Sequence, residues 1–178
     1  MPAPTLHTPR LTLRPHVLAD MEPFWEFYQS DRAAYISGPR DRGHFWYGFT
    51  SEVGTWDLCG YGGWAVDLKG GGFVGQVAII QPPAYPELEI GWILFDGHEG
   101  KGYAAEAVTA ALHWAWENLS IDTLVSYIDP ANTRSRALAE RLGAVQDPAA
   151  ALPQGDTAED TLVYRHSPDA DGSPEAYA

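Results

Sequence analysis

One cysteine in 178 residues leaves no intramolecular disulfide to be made. Cys59 has no second Cys or His at metal-ligand spacing, so it is expected to be a buried, inert thiol. The six histidines are equally scattered, with no HxxxH or CxxC frame, and no metal is expected. Basic residues are scarce: 11 Lys and Arg stand against 24 Asp and Glu, for a formal charge of −13. A phosphate backbone needs a Lys/Arg footprint, so a nucleic-acid partner is excluded. No stretch approaches the roughly 18 apolar residues that span a bilayer, so no membrane partner is expected. The segment from Met1 to Arg10 has no signal-peptide apolar core, and the expected location is cytoplasmic.

What is present is apolar bulk. Hydrophobic residues make up 45% of the chain, with seven Trp, nine Tyr and six Phe, enough to enclose one core and thus one domain over residues 1–167. From Asp147 onward seven acids face a single basic residue, Arg165. Residues 168–178, rich in Pro, Gly and acid, read as a flexible acidic tail.

Apolar and polar residues alternate from Arg10 to Arg14 before Pro15, the pattern of a half-buried strand. Asp20 is the expected N-cap of a helix reaching about Ser30, with Phe24, Trp25 and Tyr28 on its core face. After a turn at Ser37 to Pro39, a second helix is expected from about Arg42 to Trp56. Strands follow at Trp64–Leu68 and Phe73–Ile80, joined as a hairpin through Gly70–Gly72, and at Leu88–Phe95. The periodicity then predicts an Ala-rich helix over Ala104–Asn118, a strand at Thr123–Ile128, a helix over Thr133–Leu142 closed by Gly143, and a strand at Thr161–His166.

Gly97-His-Glu-Gly-Lys-Gly-Tyr-Ala-Ala-Glu106 lies between a strand and the Ala-rich helix. Glycines let backbone approach a ligand, and the unpaired N–H groups of a helix start attract negative charge, so a phosphate is the natural occupant. Lys101, Arg134, Arg136 and Arg141 cluster in the same part of the chain, which suits an anion. A Walker A loop is excluded, because Gly102 stands where Ser or Thr would hold Mg²⁺. Gly100-x-Gly102-x-x-Ala105 does fit the Rossmann fingerprint, although it follows an antiparallel meander.

Three segments, in order, carry a resemblance. Arg10–Arg14 reads R-L-x-L-R; Glu89–Trp92 reads E-x-G-W and leads to Gly100–Ala107, G-K-G-Y-A-x-E-A; Asn132, Ser135, Leu142 and Gly143 complete N-x-x-S with a terminal L-G. In these the chain resembles the GNAT superfamily of acetyl-CoA-dependent N-acetyltransferases, and within it the ribosomal-protein N-terminal acetyltransferases. The implied fold is a single α/β (α+β) domain, with a mixed, mostly antiparallel central sheet of about six to seven strands flanked by about four helices.

The resemblance also implies an activity and a site. An amine, either a protein N-terminus or a small molecule, would attack the thioester of acetyl-CoA directly. The strand edge at Ile93, Leu94 and Phe95 would pair with the pantetheine arm, and the Leu94 N–H would polarise the thioester carbonyl. Amides of Gly100, Lys101, Gly102, Tyr103 and Ala104 would hold the pyrophosphate, Asn132 and Ser135 the pantetheine, and Arg134 the 3′-phosphate. Glu89 is the candidate base, with Glu87 its substitute; a structural carboxylate at Glu89 is the competing reading. Tyr28, Tyr35, Trp46 and Tyr47 would line the acceptor cleft, and a homodimer is left open. Two positions depart from the family: Glu99 where Gln or Arg is usual, and Ala139 where many members carry a proton-donating Tyr. These keep a catalytically silent acyl-CoA-binding domain in contention, as the fingerprint keeps a nicotinamide-dinucleotide binder.

Overall fold

The computed structural model describes residues 2–36, 38 and 41–168. The expected tail beyond Pro168 and most of the Ser37–Pro39 turn lie outside them. Eight strands form one sheet in the order β1-β2-β3-β4-β5-β6-β8-β7. They are β1 (Leu6–His7), β2 (Leu11–Arg14), β3 (Gly63–Leu68), β4 (Phe73–Ile80), β5 (Glu89–Leu94), β6 (Leu124–Ile128), β7 (Val145–Gln146) and β8 (Leu162–His166). The expected count of six to seven is exceeded because β1 and β7 are two-residue edge strands. Neither is long enough to show an alternation; each exists by pairing, Leu6 with Leu13 and Val145 with Arg165.

Four helices complete the domain: α1 (Met21–Tyr28), α2 (Arg42–Cys59), α3 (Tyr103–Asn118) and α4 (Thr133–Arg141). Small residues on α3, Ala107, Ala111 and Ala115, bring it down on the sheet, where Val108 and Leu112 join Leu11, Val66, Val77 and Ile90 in the main core. Trp56, Trp64 and Trp114 meet edge to face with centroids 4.5–5.3 Å apart. α4 ends as expected: Gly143 has φ +81°, and the Gly143 and Ala144 amides donate to Glu140 and Ala139.

Two expectations need correction. Asp20 does not cap α1: it makes no cap hydrogen bond, and its carboxylate, only 3% exposed, turns back to the arginine of β2. Arg14 donates to it through both Nη atoms at 2.8 Å, the Val17 amide adds a bond at 2.9 Å, and Arg14 Nε also reaches Asp67. A buried carboxylate gains more from a bidentate guanidinium than from one helix amide. Cys59 is exposed, because Trp56 takes the inward face of the last turn of α2 and Gly60 ends it in a left-handed cap.

All neighbouring strands are antiparallel except β5 and β6, which α3 joins by a crossover. That parallel pair is registered at a single position, Glu89 with Val125. Beyond it the strands part. The Tyr127 amide donates to the Glu89 carboxylate at 3.3 Å, and Ser126 Oγ donates to the Ile90 carbonyl at 2.7 Å. The sheet therefore opens in its middle, just before the glycine-rich turn.

Candidate active site

The opening is a cavity of about 830 Å³. Its walls come from β5 (Glu89–Ile93), β6 (Ser126–Ile128), the start of α4 (Asn132 and Ser135), α1 and its following turn (Tyr28 and Tyr35), and Glu52 of α2. Glu89 is 9% exposed, and its one hydrogen bond, from Tyr127, leaves Oε2 without a partner among the described residues. Burial, with the nearby charge of Glu52, pushes its carboxyl up to about 7, despite the opposing effect of the Tyr127 amide. Glu87 is not its substitute. Arg165 holds Glu87 through two bonds of 2.6 and 2.9 Å and binds Asp147 as well.

Leu94 follows Ile93, the last β5 residue to line the opening, and its backbone is turned away from β4. Phe95 gives its N–H to Val74 O at 2.9 Å, so alternation along an antiparallel pair turns the Leu94 N–H and C=O away from β4. The Leu94 carbonyl accordingly accepts from Arg32 Nη2 at 3.2 Å. The expected pairing edge of Ile93, Leu94 and Phe95 thus narrows to Leu94: the sheet claims the Phe95 amide, and the Ile93 and Phe95 side chains pack with Phe24, Phe45 and Phe49. Gly75 lies directly opposite. A Cβ there would overlap the Ile93 carbonyl, so only glycine lets β4 sit this close beneath Leu94.

The turn before α3 has the shape that its glycines allow. Gly100 and Gly102 have φ of +73° and +78°, and Gly102 is the N-cap of α3. The amides of Tyr103, Ala104 and Ala105 precede the first intrahelical bond, from Glu106 N to Gly102 O. Arg10 braces this turn: Nη1 donates to Lys101 O at 2.8 Å, Nε to Glu106 at 2.6 Å, and the guanidinium lies 4.9 Å from the Tyr103 ring centre. A side chain at Gly102 would meet Arg10, 3.2 Å away, so glycine there makes room for the brace. Lys101 spends its ammonium on Gly97 O. Glu99 is neutralised by an ion pair with Arg32, and Arg134, whose side chain is 77% exposed, stands 3.9 Å from it. Arg10→Ala should weaken acetyl-CoA binding by about three- to tenfold, the worth of one or two such bonds. Calorimetry would read it; an unchanged Kd would mean that the turn keeps its shape unaided.

A family profile described as Acetyltransferase (GNAT) domain matches residues 10–145. The chain is a GNAT-family N-acetyltransferase. An acetyltransferase from Agrobacterium tumefaciens str. C58 is 44% identical, with 93% of this chain and 95% of that one covered and a TM-score of 0.86. A proposed ribosomal-protein-serine acetyltransferase from Vibrio cholerae is 25% identical over 94% and 99% of the two chains, TM-score 0.76. The microcin C7 self-immunity acetyltransferase, solved with acetyl-CoA and AMP, shares the fold at 17% identity, 90% and 93% coverage and TM-score 0.69. Among curated proteins, the uncharacterised YkkB of Bacillus subtilis (strain 168) is 30% identical over 125 residues, 66% of this chain and 70% of its own.

The remaining sequence candidates of this acetyltransferase divide by position. Asn132 and Ser135 line the cavity; Asn132 Oδ1 also caps α4 by accepting from the Ser135 amide at 3.1 Å. Tyr28 and Tyr35 line it too. Trp46 does not: it is 45% exposed, and Tyr47 is more so. The inward stripe of α2 is Phe45, Phe49, Glu52 and Trp56, and Trp46 lies a third of a turn away. Five residues in and beside the cavity escaped the sequence reading. A carboxylate interrupting that apolar stripe was the available signal for Glu52. Tyr127 and Tyr85, stacked edge to face at 5.2 Å, carried no motif. Nor did the buried pair of Ser126 and His166, 3.0 Å apart, in which burial pushes the imidazole down to about 4.

Proposed function

We propose that this acetyltransferase moves the acetyl group of acetyl-CoA to a primary amine by direct attack, with Glu89 as general base. The observation that carries the reading is a cavity walled by β5, with the buried carboxylate of Glu89 in its lining and, one residue past the last lining residue Ile93, the outward-turned backbone of Leu94 on the same strand. The pyrophosphate would rest on the amides of Tyr103, Ala104 and Ala105, with Gly100 and Gly102 shaping the approach. The site fits that group: these amides have no intrahelical acceptor, and nothing lies within 4 Å of a Cβ at Gly100. Asn132 and Ser135 would flank the pantetheine.

Glu89 takes a proton from the ammonium, and the neutral amine adds to the thioester carbonyl. The Leu94 N–H receives the oxyanion, a donor worth roughly 3–4 kcal/mol. Collapse breaks the C–S bond and expels the thiolate, and the second proton of the attacking nitrogen leaves as the amide forms, balancing the proton that the thiolate takes up. Ala139 is fully buried beside Ile128 and Tyr164 and supplies no proton. The Tyr127 hydroxyl, buried, unpartnered and on the cavity wall, is the donor that the site offers. An amine of pKa near 8 needs about 1.4 kcal/mol to deprotonate at pH 7, and one near 10.4 about 4.6 kcal/mol.

The silent-domain reading loses its footing where Arg32 neutralises Glu99. The Rossmann reading needs a parallel frame that this sheet lacks. The test is CoA release from acetyl-CoA across a panel of peptides and small amines, beside calorimetry of acetyl-CoA. Saturable release with at least one amine is expected; binding with no release across the panel would return the protein to the silent class.

A further inference from the structure

Two sets of carboxylates in this protein differ in their partners. Glu22, Asp67, Glu87, Glu106 and Asp147 each meet an arginine, as do the buried Asp20 and the loop residue Glu99. The five that line the cavity, Glu52, Glu89, Asp129, Asp156 and Asp160, meet none, and no Lys, Arg or His lines it among the described residues. Short bonds fix their positions. Gln76 Nε2 donates to Glu52 at 2.7 Å, Thr161 Oγ1 to Asp156 at 2.6 Å, Thr157 Oγ1 to Asp160 at 2.7 Å, and the Ala131 amide to Asp129 at 2.7 Å. The segment that carries Asp156 and Asp160 is tied across the opening by Gln154 N to Ala84 O at 2.8 Å.

Two further observations point to a missing occupant. Glu89, about nine-tenths buried, lines the space with an oxygen that has no partner among the described residues, and the hydroxyl of Tyr127, another lining residue, is buried without a partner among them. Like charges gathered around one hollow repel each other, and burial makes Glu52 and Glu89 harder to hold ionised. A cation between them relieves both costs. The rings of Tyr28, Tyr35 and Tyr85 on the same lining offer faces that favour a cation as well.

We infer that the acceptor is a small amine with a second protonated nitrogen: a diamine, polyamine or amino sugar. Its distal cation lies against Glu52, Asp156 and Asp160 while its reacting amine approaches Glu89. The inference rests on the acyl-transfer reading and narrows it. A peptide N-terminus with no other positive charge leaves the distal carboxylates unmatched.

The experiment compares 1,5-diaminopentane with pentylamine, which share a reacting group and a chain length and differ by one charge. Spermidine, an amino sugar and a neutral-side-chain peptide form the remaining arms. With the full chain and saturating acetyl-CoA, kcat/KM for the diamine should exceed that for the monoamine by about tenfold or more, the worth of one partly buried charge contact. The ratio should shrink as salt rises, and it should shrink in Glu52→Gln and, independently, in Asp156→Asn. Whichever of spermidine and the amino sugar has the higher kcat/KM identifies the scaffold. A ratio near one with acetyl-CoA binding intact, or a peptide that outperforms every polycation, overturns the inference and leaves the transferase reading standing. Loss of acetyl-CoA binding together with no CoA release from any amine overturns both.

Discussion

Glu89→Gln is expected to lower kcat/KM by about 10²–10⁴, the usual contribution of a positioned base, while raising the thermal stability of the protein at pH 8. The two effects have one cause. Burial holds the Glu89 carboxyl near 7 instead of its ordinary value near 4.5, so the ionised form that the proposed base role needs is the form that the fold disfavours. A group whose pKa is raised by folding contributes stability below its unfolded value and loses it as pH climbs through the folded value. Here the loss runs from about pH 4.5 to about 7 and amounts to about 3 kcal/mol. Glutamine keeps the shape without the charge. In the wild type, kcat/KM should rise with pH through about 7 on the acid limb, and the variant should lack that limb. A carboxylate with only a structural role would give a different pattern: the variant would lose stability and retain the profile. Unchanged activity with a higher melting temperature would dismiss Glu89 as the base.

Arg14→Ala is expected to destabilise the fold by about 3 kcal/mol at neutral pH. Removing one member of a buried ion pair costs 3–5 kcal/mol, and the lower end applies because the Arg14 side chain keeps 23% of its exposure. For a domain of this size the melting temperature should fall by about 6–12 °C. Burial by itself pushes the Asp20 carboxyl upward, but hydrogen bonds from Arg14 and His16 bring it well below the carboxylate range. Its stabilising contribution is therefore present above about pH 3.9 and lost as pH falls further. The gap between variant and wild type should close in acid, as Asp20 takes up a proton, and adding Asp20→Asn to the variant should recover part of the loss at pH 7. A drop of less than 1 kcal/mol, or one that does not change with pH, would show that the pair is spectator to stability.

Both arginines of the opening R-L-x-L-R stretch illustrate what a pattern can and cannot convey. The alternation of Leu11 and Leu13 announced a strand, and both are fully buried in the core. Nothing in the pattern said that Arg10 would brace a turn more than ninety positions away, or that Arg14 would recruit the acid expected to cap α1. Local rules assign Asp20 to the nearest helix start. Tertiary packing gave it a stronger partner, and the stronger interaction prevailed.

The acceptor side follows the same logic. Tyr28 and Tyr35 line the cavity, whereas Trp46 does not, because the phase of α2 is set by Phe45, Phe49 and Trp56 packing on neighbours that no local window contains. Glu52 was in plain view on that stripe. Its meaning depends on Glu89 and on the Asp156–Asp160 segment, which reach it through the fold.

Period-two and period-3.6 patterns, glycines at left-handed turns and an Ala-rich helix were enough to place the elements, the glycine-rich turn and the family, because each is a short-range consequence of backbone sterics and burial. Tertiary structure alone decided where β5 and β6 part, which backbone amide faces the gap, and which carboxylates share it without a counter-charge. Those properties depend on the distances between segments remote in the chain, and electrostatic cost depends on distance and burial rather than on order along the sequence.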